Sequence, residues 1–339
     1  MKNSKLNIGL IGAGRIGKVH AETLAFRVPE ARVLSITDLK RDAAEEVALR
    51  FSIPEVALSV DHILADPNIQ AVLICSSTDT HADLISRAAQ AGKHIFCEKP
   101  IAHGLAQIDA ALAAVEQAGV KLQIGFNRRF DPNFARVRAA VADGEIGSPR
   151  LLHIISRDPA PPPVSYVKVS GGLFLDMTIH DFDMARFLIA DEVEEVFTAA
   201  GVMVDPAIGR AGDLDTALIV LRFRNGAIGT IDNCRQAAYG YDQRVEILGS
   251  AGKIATENCY PNQATLSTGG GVRRDLPFNF FMDRYLESFS NEIRSFVQSV
   301  AEDKPTAVTG RDGRIPVVMG LAARRSFDEH RPVKLAEIH

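Results

Sequence analysis

The run LNIGLIGAGRIGKVHAETL, residues 6–24, constrains the fold more than any other part of the chain. An apolar stretch ends in Gly12-Ala13-Gly14-Arg15-Ile16-Gly17, and a helix-forming segment follows at once. This G-x-G-x-x-G spacing asks for a strand, a tight turn and a helix, and each glycine has its own duty. Gly12 permits the turn, Gly14 lets backbone approach a pyrophosphate, and Gly17 lets the helix pack closely on the strand. The helix N-terminus then aims its positive end at the phosphates. Gly12, Gly14, Arg15, Ile16 and Gly17 are the expected dinucleotide cradle.

The context fits. A second apolar stretch, ARVLSITD, ends in Asp38, about 20 residues beyond Gly17. A carboxylate there accepts hydrogen bonds from both ribose hydroxyls and repels a 2′-phosphate, which favours NAD over NADP despite nearby Lys40 and Arg41. Alternation then continues, with QAVLICSS, HIFCEK and VKLQIGF as strands and two amphipathic helices ending at Gly92 and Gly119. Such alternation implies a doubly wound parallel sheet, an α/β Rossmann domain, with ligands beyond the carboxyl ends of its strands. Polar groups stand at those ends: Ser76, Ser77 and Thr78, then Glu98 and Lys99, then Asn127, Arg128 and Arg129. Together with His81, the first two groups complete the expected cofactor contacts. Lys99, fixed by Pro100, is placed to polarise a carbonyl or stabilise an alkoxide.

From about residue 149 the pattern changes to strands with turn signals, including a hairpin cue at Asn225-Gly226. In ALIVLRF both alternating faces are apolar, so helices are expected to cover one face and a partner subunit the other. Two late helices are expected near 282–302 and 311–328, the first with a core stripe of Tyr285, Phe289, Ile293 and Phe296. The segment DPAPPPVSY, 158–166, reads as a stiff irregular loop over the mouth of the site, because proline removes donors and fixes φ. Within GGLFLDMTIHDFDMARFL, 171–188, Asp176 and His180 stand four apart and are expected on one helix face, either an ordinary solvated face or a catalytic pair. Asp181, Asp183 and Arg186 are expected to make ordinary helix contacts. A metal centre drawn from Asp176, His180, Asp181 and Asp183 is not expected, because these acids do not all share the face of His180.

Composition excludes several classes. A formal net charge of -4, with 38 basic residues scattered among 42 acids, offers no basic surface for nucleic acid. No apolar stretch is long enough to span a bilayer, and the first residues lack the pattern of a secretory leader. The cysteines Cys75, Cys97, Cys234 and Cys259 lie far apart, without a C-x-x-C pair, and are read as reduced thiols. A cytoplasmic protein is the expectation.

The motifs GAGRIG, CEKP (97–100), GFNRRFDP (125–132) and GGLFLDMTIHDFDMARFL together resemble the Gfo/Idh/MocA oxidoreductases, and YGYDQRVEILGSAGKI (239–254) points within them to inositol dehydrogenases. The resemblance runs along the whole chain. It implies a Rossmann domain over 1–125 and, over 126–339, an α+β substrate and oligomerisation domain with an open, mainly antiparallel sheet, its last helices packing back on the first. It further implies NAD, a cyclitol or sugar substrate, a homotetramer, and no metal. By the same resemblance Lys99, Asp176 and His180 are catalytic and also contact substrate, while Arg129 and Tyr239 line the polyol pocket; Arg157 is also expected to contact substrate. Ser156 stands where a histidine occurs in some members. An aldose dehydrogenase and a non-catalytic nucleotide sensor on the same fold are the alternatives.

Overall fold

A computed structural model describes residues 5–339. The chain forms two compact units: one takes residues up to Phe130 together with Glu287–Val317, the other Asp131–Leu286 together with Val318–His339.

The first unit alternates strand and helix: β1 (Leu6–Ile11), α1 (Arg15–Phe26), β2 (Ala31–Thr37), α2 (Arg41–Phe51), β3 (Glu55–Val56), α3 (Val60–Ala65), β4 (Ala71–Ile74), α4 (Thr78–Gln90), β5 (His94–Glu98), α5 (Leu105–Ala118) and β6 (Leu122–Gly125). Its strands pair in parallel in the order β3-β2-β1-β4-β5-β6. The central strands are continuous apolar runs because helices cover both faces, and all four residues of β4 are buried. Gly119, at φ +66°, ends α5 in the left-handed region. Ile293, Phe296 and Val297 of the late helix Leu286–Ala301 join Ile8, Leu10, Leu73 and Phe96 in this unit's core.

The second unit contains α6 (Pro132–Ala142), β7 (Pro149–Arg157), α7 (Val164–Val167), α8 (Gly172–Asp176), α9 (Thr178–Ile189) and β8 (Val193–Gly201). β9 (Thr216–Phe223), β10 (Ile228–Cys234), β11 (Asp242–Gly249), β12 (Lys253–Ala255), an exposed hairpin of β13 (Thr265–Thr268) and β14 (Gly271–Arg274), and β15 (Val333–Lys334) follow. Seven strands form an open sheet in the order β12-β11-β7-β10-β9-β8-β15, antiparallel except for β7 beside β10. The Asn225-Gly226 turn joins β9 to β10 as expected, with Gly226 at φ +88°. Ala217, Ile219, Leu221 and Phe223 of β9 are buried, whereas Leu218 and Val220 are 58% and 40% exposed. The open face therefore carries apolar side chains, continued by Phe197, Ile228, Leu151 and Leu248.

Among the described residues no helix is long and apolar enough to cross a membrane. The proline-rich segment is irregular only as far as Pro163. Val164–Val167 closes one helical turn, because a proline just before a helix leaves no donor unmet there.

Candidate active site

The cofactor cradle lies at the carboxyl ends of β1, β2 and β4, where neighbouring strands lead away in opposite directions. Gly12 has φ +106°, and a Cβ there would stand 2.6 Å from the carbonyl of Cys75. A Cβ on Gly17 would meet the Gly12 oxygen at 2.1 Å, so α1 sits directly on the turn. At Gly14 a Cβ meets nothing within 4 Å, and this residue precedes α1 without capping it by a side chain. Open space before an uncapped helix N-terminus suits a pyrophosphate. Asp38 follows β2, and its carboxylate accepts the backbone N–H groups of Ala13 (2.7 Å) and Lys40 (2.8 Å). That fixes the acid beside the glycine turn with lone pairs left for a ribose. Arg41 is engaged by Glu45 at 2.7 Å. The donor set fits a dinucleotide with a free 2′-hydroxyl.

Ser76, Ser77 and Thr78 join β4 to α4, with the Ser76 hydroxyl 2.7 Å from that of Thr80. His81 is only 1% exposed, its ring nitrogens 2.8 Å from the Pro100 carbonyl and 3.1 Å from that of Ser76. It ties the ends of β4 and β5 together and is buried beneath the rim that a ligand would reach. Glu98 likewise turns inward: its Oε1 lies 2.7 Å from His20 Nε2 on α1. With Glu292 these make a buried trio whose ligand atoms lie within 4.8 Å of one another. Burial pushes the thiols of Cys75 and Cys97 well up, Glu98 adding to the effect. Lys99 follows β5 directly, and its peptide bond to Pro100 is cis. Arg129, expected in the substrate pocket, is held by Asp312 at 3.0 Å. Burial would raise the Asp312 carboxyl, but Arg129 and the Thr309 amide and hydroxyl outweigh it and hold it low.

In the second unit, Asp176 and His180 do not share one uninterrupted helix. Asp176 closes α8, Met177 breaks the run at φ -97° and ψ -60°, and His180 lies in the first turn of α9. The two preceding glycines take φ +85° and +78°, and a Cβ on Gly172 would meet Asp213 at 2.6 Å. They serve the entry into α8, where Asp213 accepts the Leu173 amide. One oxygen of Asp176 takes a hydrogen bond and the other faces a buried cation. Tyr166 donates to Oδ1 at 2.9 Å, and Arg235 Nη2 lies 3.1 Å from Oδ2. Asp181 accepts from Asn233 at 2.9 Å, and Arg186 pairs with Glu192 at 2.8 Å. These are structural contacts.

Residues 134–255 match the GFO/IDH/MocA C-terminal domain, and residues 6–126 match an oxidoreductase family with an NAD-binding Rossmann fold. The chain belongs to the Gfo/Idh/MocA oxidoreductase family. It is 47% identical over 333 residues to the myo-inositol 2-dehydrogenase of Thermotoga maritima, covering 98% of this chain and 99% of that one. It is also 47% identical over 331 residues to the inositol 2-dehydrogenase of Rhizobium meliloti, covering 98% and 99%. A crystal structure of scyllo-inositol dehydrogenase from Lactobacillus casei, with bound NAD(H) and scyllo-inositol, superposes with a TM-score of 0.92 at 30% identity, covering 98% and 100%.

In this Gfo/Idh/MocA chain Arg157 and Tyr239 meet each other on one face of the second sheet. Alternation along β7 puts Ser156 on the sheet face that α9 covers and Arg157 on the open face. Asn233, which bonds both Thr178 and Asp181 of α9, marks the covered side. On the open side Arg157 pairs with Asp232 and donates to the Tyr239 hydroxyl at 3.1 Å. Tyr239 donates to Asp242 at 2.5 Å, and Arg244 and Asn258 complete the cluster. Burial and the bond to Asp242 raise the Tyr239 phenol. Arg157 is thus separated by the sheet from α9 and His180. Arg235, Tyr166 and Asp158 are the residues that sequence reasoning missed, since no local spacing ties them to Asp176.

Proposed function

We propose that the chain oxidises a secondary hydroxyl of a cyclitol, myo- or scyllo-inositol, to the corresponding inosose. The observation that carries this is full-length kinship with inositol 2-dehydrogenases; Asp38, Lys99, Asp176 and His180 stand in the motifs that resemble the family's. Bound NAD supplies the electrophilic ring that takes the hydride from the alcohol carbon. Asp38 selects it over NADP, while Gly12, Gly14, Arg15, Ile16, Gly17 and the Ser76–Thr78 turn hold its phosphates and ribose.

His180 takes the hydroxyl proton as general base, its ordinary pKa lying near neutrality. Asp176 orients the hydroxyl as a hydrogen-bond acceptor. Lys99 stabilises the developing alkoxide and then polarises the ketone. No metal has a part in these roles. The enzyme assembles as a homotetramer, with the apolar open face of the second sheet covered by another copy. Initial rates of NAD and NADP reduction across inositol isomers and aldoses test the reading. Turnover is expected with an inositol and NAD. Preference for an aldose, or no turnover with any polyol, overturns it.

A further inference from the structure

The segment 158–166 is absorbed by none of the roles above, yet its end meets the Asp176 carboxylate directly and its start reaches the same carboxylate through Arg235. At its start, the backbone of Asp158 is held between Cys234 and Ala237: its N–H donates to the Cys234 carbonyl at 3.0 Å, and its own carbonyl accepts from Ala237 N–H at 2.7 Å. The Asp158 carboxylate lies 3.8 Å from Arg235 Nη1. The other arm of that guanidinium, Nη2, lies 3.1 Å from Asp176. At its end, Tyr166 donates its hydroxyl to the second Asp176 oxygen at 2.9 Å. Prolines 159, 161, 162 and 163 stiffen the stretch between. Arg235 is 2% exposed, so its position is set by the core, whereas Tyr166 is 48% exposed.

We propose that 158–166 is a specificity element of the dehydrogenase, latched onto Asp176 directly by Tyr166 at its end and through the Arg235 charge at its start, with Arg235 and Tyr166 as positioning residues. The inference rests on the reading of Asp176 as the acceptor of a substrate hydroxyl. Inositol isomers differ only in whether a hydroxyl is axial or equatorial, so a site tells them apart only by the direction in which its acceptors point. A carboxylate free to turn about its last torsion accepts from either direction. One held by a hydrogen bond at one oxygen and drawn by a buried cation at the other keeps its remaining lone pairs in fixed directions, and a site with fixed acceptors rejects the wrong hydroxyl strongly. Arg235 places a buried, permanently charged guanidinium between Asp158 and Asp176, one nitrogen toward each. The stiff segment carries the hydroxyl that completes the clamp.

The test is steady-state kinetics of the full-length enzyme with NAD and each of myo- and scyllo-inositol. Tyr166→Phe is expected to narrow the ratio of kcat/KM between the better and the poorer isomer by about tenfold, the equivalent of one hydrogen bond to a charged group, while NAD affinity stays unchanged. Pro162→Gly, which loosens the segment without touching Asp176, is expected to narrow the ratio in the same direction. Arg235→Gln is expected to lower kcat as well, with Arg235→Lys restoring part of it. Should Arg235→Gln not fold, the two exposed-segment variants still decide the matter. An isomer ratio unchanged within about twofold in both Tyr166→Phe and Pro162→Gly, with Asp176→Asn losing turnover, overturns the latch and leaves the site reading standing. Full turnover in Asp176→Asn overturns the site reading, and the latch with it.

Discussion

His20 Nε2 and Glu98 Oε1 stand 2.7 Å apart, both residues buried, at the end of the strand that delivers Lys99. The ring of His20 is also packed edge-on against Phe96 at 5.2 Å and Phe289 at 5.8 Å, so it has little freedom to move. Removing it leaves the Glu98 carboxylate without this partner in a dry setting. His20→Ala is expected to lower stability by about 2–4 kcal/mol, with His20→Gln recovering part, as read from urea unfolding midpoints. Equal midpoints for wild type and His20→Ala would show that the bond contributes nothing net.

Asp38 has two tasks, since it accepts two backbone N–H groups and faces the place of a ribose. Asp38→Asn keeps an acceptor for one amide but loses the charge that repels a 2′-phosphate. Its KM for NAD is expected to rise about tenfold, with discrimination against NADP narrowing by more than that. Initial rates with both cofactors check this; an unchanged ratio removes Asp38 from cofactor selection.

Lys99→Ala and His180→Ala are expected to lose about 10²-fold or more in kcat with inositol, because each removes a group that acts on the charge or proton moved in the reaction. NADH binding, followed by cofactor fluorescence in a chain that contains no tryptophan, is expected to remain in His180→Ala. Turnover near wild type in either variant contradicts the assigned roles.

What the sequence made legible was local chemistry. The turn at Gly12 and the acid at Asp38 follow from spacing within one βαβ unit, and the structure keeps that geometry. The break at Met177 was not legible, because α8 and α9 are both helical and no proline or glycine marks the junction. The face on which Arg157 lies was not legible for a related reason. LLHIIS is apolar on both alternating faces, so the sequence does not say which face helices cover, and Ser156 rather than Arg157 faces α9. The contact of Arg235 with Asp176 joins two elements far apart in the chain, which no periodicity encodes.

Leu218 and Val220 lie at the centre of the open face of the second sheet, flanked by Phe197 on β8 and Thr230 on β10. Such an apolar patch on a sheet suits a second copy of the chain. Leu218→Asp places a charge there without disturbing the buried side of β9. It is expected to reduce the mass measured by light scattering from that of a tetramer to a dimer or monomer, with the circular dichroism spectrum retained. A wild-type monomer, or a Leu218→Asp protein of undiminished mass, rules out this face as the interface.

Asp215 is buried and accepts the N–H groups of Met203 (2.7 Å), Val204 (2.9 Å) and Asp205 (3.0 Å), with the Thr216 hydroxyl at 3.0 Å. Burial alone would raise its carboxyl, but these four donors outweigh it and hold the folded-state value below the ordinary one. A group lowered on folding stabilises the protein above its unfolded pKa, about 3.9 for an aspartate, and that contribution is lost as pH falls through the folded value. Wild-type stability is therefore expected to decline as pH drops from about 5 through 4 and below, with part of the slope owed to Asp215. Asp215→Asn removes the titrating group and is expected to be less stable at pH 7 by about 2–3 kcal/mol, since it keeps one acceptor oxygen for three amides. Its stability is also expected to change less steeply between pH 5 and 3, so the gap between the two proteins shrinks on acidification. Denaturant unfolding across that range measures both slopes, and parallel lines would show that Asp215 binds its proton equally well folded and unfolded.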